Sequence, residues 1–254
     1  MQKQTSKNKP DLATPIEYLV IGHLTADLTD MGIRLGGTAA FAGLTAEALG
    51  LRPGLVTSFN ESLDISPIGH LWVKNKRSCQ SSTFKNISDG VVRTQYLYHR
   101  AARLTKADLP DLDPPPAIIH LGPVANEVDP EILECYPSSL KCMTPQGWFR
   151  STNAQDQVVQ CDWEAYETHL SRADIAVISQ EDVQNDESVI ASMVMAVPVF
   201  VVTENYKGAR VYWHGDARFI NAPGVKYVDD TGAGDIFATA FFYRYLRTRN
   251  PWEA

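Results

Sequence analysis

The amino-acid sequence predicts an α/β fold with a mainly parallel central sheet and helices on both faces. The chain starts with an apolar strand, a glycine pair and a helix of small residues before a second strand, which is how a parallel sheet begins. Strand-like runs and helical segments alternate again in the second half, and a long helix follows a final hairpin. In order, these elements lie at 17–22, 36–37, 38–49, 55–59, 117–121, 129–135, 139–143, 162–170, 174–178, 187–195, 197–203, 209–213, 217–220 and 233–249.

Composition excludes several classes of protein. Hydrophobic residues make up 44% of the 254 residues, so the chain can bury a full core. The formal net charge of −7 argues against a general nucleic-acid surface, and no apolar run reaches the ~18 residues of a membrane span. The four cysteines lack the spacing of a zinc site and are typical of reduced thiols, which indicates a cytoplasmic protein.

Two parts of the chain depart from the alternating pattern. Residues 1–15 are polar and are expected to form a flexible tail ahead of one domain at 16–254. Two β-prone segments, 82–87 and 91–98, flank Ser88-Asp89-Gly90, and Asp-Gly is a strong hairpin signal. With an extended stretch before the first helix, they predict a small β lid (about 24–35 and 82–98) that projects from the main sheet.

The strongest functional signal is the run from Val228 to Phe237, in which Gly232 and Gly234 open an apolar helix. Glycine lets a backbone approach a ligand closely, and the first amides of a helix lack partners within it. Together with the helix dipole, such amides form an anion site. Asp235 falls in that first turn. Taken alone, it is either a catalytic carboxylate or an acid that stabilises the helix start.

Other phosphate-binding motifs fit this run less well. The dinucleotide fingerprint requires a third glycine, where this chain has Phe237, and it normally follows the first strand. A nicotinamide-dependent oxidoreductase is therefore disfavoured. The sequence contains no GxxxxGK[ST] motif, so a P-loop is absent.

These motifs resemble a known family. The run from Asp230 to Asp235 reads DTGAGD, the signature of ribokinase-like (PfkB) carbohydrate kinases, and Gly36-Gly37 resembles that family's N-terminal glycine pair. The order of strand, glycine pair, projecting hairpin, alternating α/β elements and DTGAGD also matches, over residues 17 to 254. The resemblance implies a ribokinase-like fold, ATP and Mg²⁺ as cofactors, and a small-molecule substrate.

The resemblance also implies roles for individual residues. Asp235 would accept the proton of the substrate hydroxyl, and the amides of Gly232, Ala233 and Gly234 would stabilise the transferring phosphoryl group. The remaining implied residues are Asp27, Gly36 and Gly37 at the substrate, Thr203, Gly208 and Thr231 at the nucleotide, and Asp182 and Glu181 at the metal. Two simpler interpretations stay open: Asp27 as the cap of a turn, and the glycine pair as a tight turn only.

The sequence departs from the family pattern at three places. In the metal-linked NxxE element, Ser179 replaces the Asn and Asp182 the Glu. In the nucleotide-side TxGxxG element, Asn205 replaces a glycine, and Glu204 brings a negative charge near the expected phosphates. The chain ends 19 residues after Asp235. Family members usually continue with further helices, so we expect a C-terminally truncated domain.

The function expected from the resemblance is ATP-dependent phosphorylation of a hydroxymethyl group of a sugar, sugar phosphate or nucleoside. The alternative is a non-catalytic ligand-binding or regulatory protein of the same fold. Asp235 and both motif glycines favour the enzyme, whereas Asn205 and the short C-terminus favour the binding protein. A homodimer through the β lid is a further expectation.

Overall fold

The computed structural model describes residues 14–88, 93–225 and 229–254. The strands are β1 Tyr18–Ile21, β2 Thr25–Thr29, β3 Gly32–Gly36, β4 Pro53–Phe59, β5 Trp72–Arg77, β6 Ser82–Ser88, β7 Arg93–His99, β8 Ile118–Leu121, β9 Leu140–Met143, β10 Arg150–Thr152, β11 Val158–Gln160, β12 Ile175–Ser179, β13 Val199–Thr203, β14 Gly208–Trp213 and β15 Asp216–Asn221. The α-helices are α1 Thr38–Ala48, α2 Tyr166–Leu170, α3 Glu187–Val194 and α4 Ala233–Thr248. Short 3₁₀ helices lie at Ser66–Ile68, Lys106–Asp108, Pro130–Cys135, Pro145–Phe149, Gln180–Val183 and Asn205–Lys207.

The main sheet has nine strands in the order β15-β14-β13-β12-β9-β8-β1-β4-β5. Neighbouring strands from β13 to β5 are parallel, and β14 and β15 continue the sheet as an antiparallel hairpin. The central strands are buried along their whole length, as expected of a parallel sheet covered on both faces. The predicted α/β fold with a mainly parallel sheet is confirmed.

Two hydrophobic cores lie on the two faces of this sheet. On one face, Leu19 and Ile21 of β1 pack in the same cluster as Ile190 and Met193 of α3. On the other face, the alternate side chains of β1 pack with α1 and α4. The small residues of α1, five of them alanines, allow that helix to lie close to the sheet and to α4. The start of α1 is therefore held near the start of α4.

A second, four-stranded sheet has the order β3-β2-β6-β7. It is built from two separate stretches of chain, with β2 parallel to β6 and the other neighbours antiparallel. Asp27 pairs with Arg34 on one side and with Phe84 on the other, so these three residues share a face. The predicted Asp89-Gly90 turn and residues 1–13 of the predicted tail lie outside the described residues.

The chain crosses between the two sheets four times, and all four crossings meet at the buried side chain or backbone of His23. The His23 ring contacts the hydroxyl of Ser82 through Nδ1 (2.7 Å) and the carbonyl of Ala102 through Nε2 (2.9 Å). Ser82 Oγ in turn accepts the amide of Ala101 at 3.0 Å. At the fourth crossing, Gly37 lies so close to the His23 carbonyl that a β-carbon would overlap its oxygen.

The hydrogen bonds of this cluster place a proton on one nitrogen of the His23 ring. A carbonyl can only accept, so Nε2 carries a proton and donates to Ala102, while Nδ1 is hydrogen-bonded to the Ser82 hydroxyl. Glu127 is also buried and accepts the backbone amides of His23, Val124 and Ala125. We call His23, Ser82, Ala101, Ala102 and Glu127 the basal cluster.

Some helices are shorter or tighter than the sequence predicts. The segment 162–170 was expected to be helical, but α2 covers only Tyr166–Leu170 because Ala165 adopts a left-handed conformation (φ 54°). Trp163, just before it, instead stacks on Trp148 at a ring distance of 4.8 Å. The helix predicted at 129–135 is a 3₁₀ helix at Pro130–Cys135, capped by Asp129.

Candidate active site

A polar cleft of about 590 Å³ lies between the main sheet and the second sheet. Its lining comes from the second sheet, from the loops after β9, β12 and β13, and from the starts of α1 and α4. Ligands of open α/β sheets bind at this edge, outside the carboxyl ends of the strands. The predicted residues that line it are Asp27, Gly37, Glu181, Asp182, Thr203, Thr231, Gly232, Gly234 and Asp235.

The start of α4 presents backbone amides to the cleft. Gly232 is the N-cap, with φ 77°, and Asp235 is the third residue of the helix. The amide of Ala233 donates to the carbonyl of Asp230 at 3.0 Å, so it is used within the turn. Within the described part of the chain, the amides of Gly232 and Gly234 donate no hydrogen bond. This differs from the sequence expectation, which gave Ala233 the same role as the two glycines.

Gly232 cannot be replaced without strain, because its φ is positive and a β-carbon there would overlap the ring of Phe41 in α1. We expect Gly232→Ala to lower the free energy of unfolding by about 1–3 kcal/mol from the backbone conformation alone, and by more once Phe41 is displaced. Urea denaturation measures this loss.

Gly50→Ala is the matched control for that experiment. Gly50 also has a positive φ, 82°, but a β-carbon there meets open space. If Gly232→Ala costs no more than Gly50→Ala, Phe41 does not restrict this position.

Asp235 occupies a partly buried position at the meeting point of the two glycine motifs. Burial raises the pKa of its carboxyl from 3.8 to about 6. A hydrogen bond from the Thr38 side chain, at the start of α1, and the positive charge of Arg150 act in the opposite direction, and the carboxylate of Asp182 adds to the rise. The glycine pair that begins α1 therefore brings Thr38 to Asp235.

Asp27 extends from strand β2 into the cleft. Its Oδ1 accepts the hydroxyl of Thr25 at 2.8 Å. Gly36 does not line the cleft, but a β-carbon there would overlap Asp27 Oδ2, so this glycine makes room for the carboxylate. At the cleft rim, Arg34 of β3 donates to Asp229, which precedes the DTGAGD run, at 3.2 Å. This ion pair connects the second sheet to the start of α4.

The Ser179–Asp182 turn forms a capping box at the end of β12. Asp182 Oδ2 accepts the amide of Ser179 at 2.9 Å, and Oδ1 accepts Gln146 Nε2 at 3.2 Å. Burial raises the pKa of the Asp182 carboxyl, and the positive charge of Arg150 opposes this rise. Ser179 and Asp182, which replace the Asn and the Glu of the NxxE element, thus support each other as a cap.

Glu181 is the exposed carboxylate of the same turn. One of its oxygens accepts Asn205 Nδ2 at 2.7 Å. The described residues contain no group of three or more His, Cys, Asp or Glu side chains that could enclose a metal ion. Glu181 would therefore suit Mg²⁺ only as a hydrated ion. Such an ion keeps several waters and needs one or two carboxylates besides phosphate oxygens.

The segment from Thr203 to Gly208 runs from the end of β13 to the start of β14. Asn205, which replaces a glycine, has a positive φ of 52°. Glu204 is turned to Arg210 at 2.5 Å, so an arginine neutralises the charge that the sequence placed near the phosphates. Thr203 lines the cleft, but Gly208 does not. A β-carbon at Gly208 would overlap the carbonyl of Ile220 in β15, which explains the glycine structurally.

Several cleft residues escaped the sequence analysis. The hairpin β10–β11 forms one wall, with Arg150 at its start and Gln160 at its end. Asn86 and Gln95 face the cleft from the second sheet, where Gln95 Nε2 donates to Asn86 Oδ1 at 2.9 Å. The only sequence signal for the hairpin is its turn, where Asn153 accepts the amides of Gln155 and Gln157.

None of the helices in the described ranges has the length and apolar character needed to cross a membrane.

Comparison of the sequence with protein families identifies the C-terminal part of the chain. The model for the pfkB family carbohydrate kinases matches residues 153–254. The probable fructokinase-5 of Arabidopsis thaliana is 32% identical over 92 residues, which are 36% of this chain and 28% of that protein. The chain therefore aligns with little more than a quarter of that relative's length.

Solved structures match over nearly the whole chain. A pyrophosphate-dependent kinase in the ribokinase family, complexed with a pyrophosphate analogue and myo-inositol, has a TM-score of 0.74 at 19% identity and covers 91% of this chain and 88% of its own. The Methanocaldococcus jannaschii nucleoside kinase has a TM-score of 0.65 at 18% identity, covering 93% and 87%. A fructokinase double mutant from Vibrio cholerae O395 has a TM-score of 0.67 at 17% identity, covering 93% and 86%.

At these identities the structural matches establish the fold alone. Nearly the whole chain therefore has the fold of the ribokinase-family structures, and residues 153–254 match the pfkB family of carbohydrate kinases in sequence.

Proposed function

We propose that the protein is an ATP-dependent phosphotransferase that phosphorylates a hydroxymethyl group of a sugar, sugar phosphate or nucleoside. The observation that carries this proposal is the arrangement at the start of α4, where Asp235 and the Gly232 and Gly234 amides open into the same cleft as Asp27. Phosphoryl transfer needs positioning and charge stabilisation more than covalent catalysis, and this arrangement offers both.

In the proposed reaction, the acceptor lies beneath the second sheet with its hydroxyls on Asp27. Gly36 leaves room for the Asp27 carboxylate, and Gly37 lines the acceptor site. Its reactive hydroxyl points to Asp235, which takes the proton as the oxygen attacks phosphorus. The amides of Gly232 and Gly234 donate to the phosphoryl oxygens as charge develops there. Because the amides are fixed by the helix start, no reorganisation is needed at the moment of reaction.

The second sheet serves as the lid of the proposed kinase domain at 16–254. With Asp27, Asn86 and Gln95 on its inner face, it covers the acceptor and excludes water, which suppresses hydrolysis of ATP. The Arg34–Asp229 contact fastens this lid to the start of α4.

The donor side is assigned to Thr203 and Thr231, with Glu181 as the carboxylate nearest to a hydrated Mg²⁺. The ion, when bound, would neutralise phosphate charge. Both oxygens of Asp182 accept hydrogen bonds, so we assign Asp182 to the support of this turn. Pyrophosphate is a donor worth testing beside ATP, because a structural relative is described as pyrophosphate-dependent.

The test is phosphoryl transfer from ATP or pyrophosphate to a panel of acceptors. The panel contains fructose, ribose, myo-inositol, sugar monophosphates and nucleosides, and labelled product is separated from labelled phosphate. We expect ATP-dependent product with at least one acceptor. A protein that binds these compounds without any transfer would be the non-catalytic member of the family.

The raised pKa of Asp235 predicts the pH dependence of the reaction. A base with a pKa of about 6 is ionised above that pH, so kcat/KM should be flat above pH 7 and fall about tenfold per unit well below pH 6. The groups that face Asp235 are Thr38, Arg150, Asp182 and Tyr18, and the negative charge of Asp182 raises the pKa of Asp235. Asp182→Asn should therefore move the inflection to lower pH.

The same shift makes a prediction for stability. Between pH 3.8 and 6 the folded protein holds a proton that the unfolded chain releases, so above pH 6 the ionised Asp235 opposes folding in full. Asp235→Asn removes this opposition. Its thermal midpoint should exceed the parent's at pH 8 and equal it near pH 4. An equal midpoint at both pH values would contradict the raised pKa.

A further inference from the structure

The cleft has a strong imbalance of charge. Among the described residues that line it, five are carboxylates and one is a cation. The carboxylates are Asp27, Glu181, Asp182, Asp230 and Asp235, and the cation is Arg150. A phosphoryl group in transfer adds further negative charge, which such a site must compensate. Amides supply partial charges, and a hydrated Mg²⁺, when bound, would add positive charge on the donor side. Arg150 is the one full positive charge that these lining side chains provide.

Arg150 is close enough to both central carboxylates to affect them. Its charge lowers the pKa of Asp235 and of Asp182, which lie on α4 and after β12 respectively. Its Nη1 donates to the carbonyl of Val124 at 3.3 Å, which ties the side chain to the cleft wall. Arg150 therefore lines the cleft near both carboxylates, with its guanidinium tied to the wall at Val124.

The hairpin that carries Arg150 is fixed at both ends. At its tip, the amide of Leu97 in the second sheet donates to the carbonyl of Asp156 at 2.9 Å. At its base, Gln160, the register partner of Arg150, donates to the carbonyl of Asp182 at 2.8 Å. The hairpin therefore spans from the lid to the turn that carries Glu181, and it holds Arg150 in place from both sides.

We propose that Arg150 is a further catalytic residue that binds the phosphoryl group while it passes from donor to acceptor; this inference rests on the proposed function. In that step the acceptor oxygen bonds to the terminal phosphorus, and the bond from that phosphorus to the bridging oxygen breaks. The electron pair leaves with ADP, and Asp235 receives the hydroxyl proton. Arg150 neutralises the non-bridging oxygens, to which the Gly232 and Gly234 amides also donate. A planar guanidinium suits such oxygens because it can bind two at once.

The test compares Arg150→Met, Arg150→Lys and the control Arg77→Met. Arg77 is an exposed arginine of β5 that pairs with Glu61 and does not line the cleft. We expect Arg150→Met to lower kcat/KM for ATP by about 10³-fold, as for other arginines that stabilise transferring phosphoryl groups. Arg150→Lys should restore part of it, and Arg77→Met should match the parent. The KM for the acceptor should stay within about threefold, since the loss belongs to the transition state.

A second measurement does not need turnover. Inorganic pyrophosphate alone should raise the thermal midpoint of the parent and of Arg77→Met, because it binds the folded state, and this rise should be lost in Arg150→Met. If the parent phosphorylates no acceptor, the proposed function fails and the pyrophosphate shift still decides the role of Arg150.

Two results would overturn the inference. The first is an Arg150→Met protein with kcat/KM within about threefold of the parent and an intact pyrophosphate shift. The second is a loss of activity that Arg150→Lys does not relieve and that appears as a raised acceptor KM, which would make Arg150 a support of the hairpin. Should Arg150→Met fold poorly by circular dichroism, Arg150→Lys and its pyrophosphate shift give the same decision.

Discussion

Asp235→Asn is expected to reduce kcat by about 10²–10⁴-fold, the usual contribution of a positioned base. The substitution is nearly isosteric, so the acceptor should still bind and its KM should change little. The loss belongs in kcat because the proton is transferred only as the phosphoryl group moves. Steady-state assays of the parent and the variant, with any acceptor that the panel identifies, measure this directly.

Asp186→Asn is the matched control. Asp186 also begins a helix: it is the N-cap of α3 and accepts the amides of Ser188 and Val189, and it does not line the cleft. Asn caps helices about as well as Asp, so neither activity nor stability should change much. If a well-folded Asp235→Asn protein turns over within about threefold of the parent, as Asp186→Asn should, then Asp235 only stabilises a helix start.

The second large effect is expected at Gly234. A β-carbon there meets no atom within 4 Å and the backbone is not strained, so Gly234→Ala should fold normally. Alanine should even favour α4 slightly, by up to about 1 kcal/mol. The new methyl group would nevertheless occupy the cleft beside the free amides. We therefore expect turnover to fall about 10²-fold, because the phosphoryl group is held away from its in-line position.

Gly69→Ala controls for the substitution itself. At Gly69 a β-carbon would make an ordinary contact, 3.5 Å from the Ser66 carbonyl, and the residue lies outside the cleft. A Gly234→Ala protein with the thermal midpoint and the turnover of Gly69→Ala would show that no ligand approaches these amides closely. Measuring both properties separates a blocked site from a damaged helix.

The sequence was sufficient for the elements whose apolar pattern is local. The central strands are continuous apolar runs, and α4 follows a glycine-rich start, so both were predicted at nearly their observed bounds. Strand β5 was missed because it is an edge strand with the polar sequence WVKNKR. Its lysines donate to carbonyls that are distant in the sequence, Lys74 Nζ to that of Leu109 and Lys76 Nζ to that of Arg103. No local sequence pattern predicts such contacts.

The residues of the candidate site fall into the same two groups: those that a local pattern indicates and those that only the folded chain brings together. The DTGAGD run is contiguous, so the sequence alone indicated Asp235 and its glycines. Arg150 lies 85 residues before Asp235 in a hairpin without a strong apolar alternation, and only the folded chain brings the two together. The sequence pattern does not show the local contacts of Gly208 and Ala233: Gly208 allows the close packing of β14 and β15, and the amide of Ala233 donates within its own turn.

The basal cluster restricts where this protein can be divided when a chimera is made with another protein of the same fold. The second sheet carries Asp27, Asn86 and Gln95 on the cleft where we propose that the acceptor binds, so it is the part that a designer would exchange to alter specificity. All four of its connections to the main sheet meet at His23, through Ser82, Ala101, Ala102 and Gly37. Cut points placed at the strand ends would divide this cluster and leave buried polar groups without partners. The transplantable unit therefore includes the basal cluster with the strands, and a chimera should be joined within β1 and after Glu127.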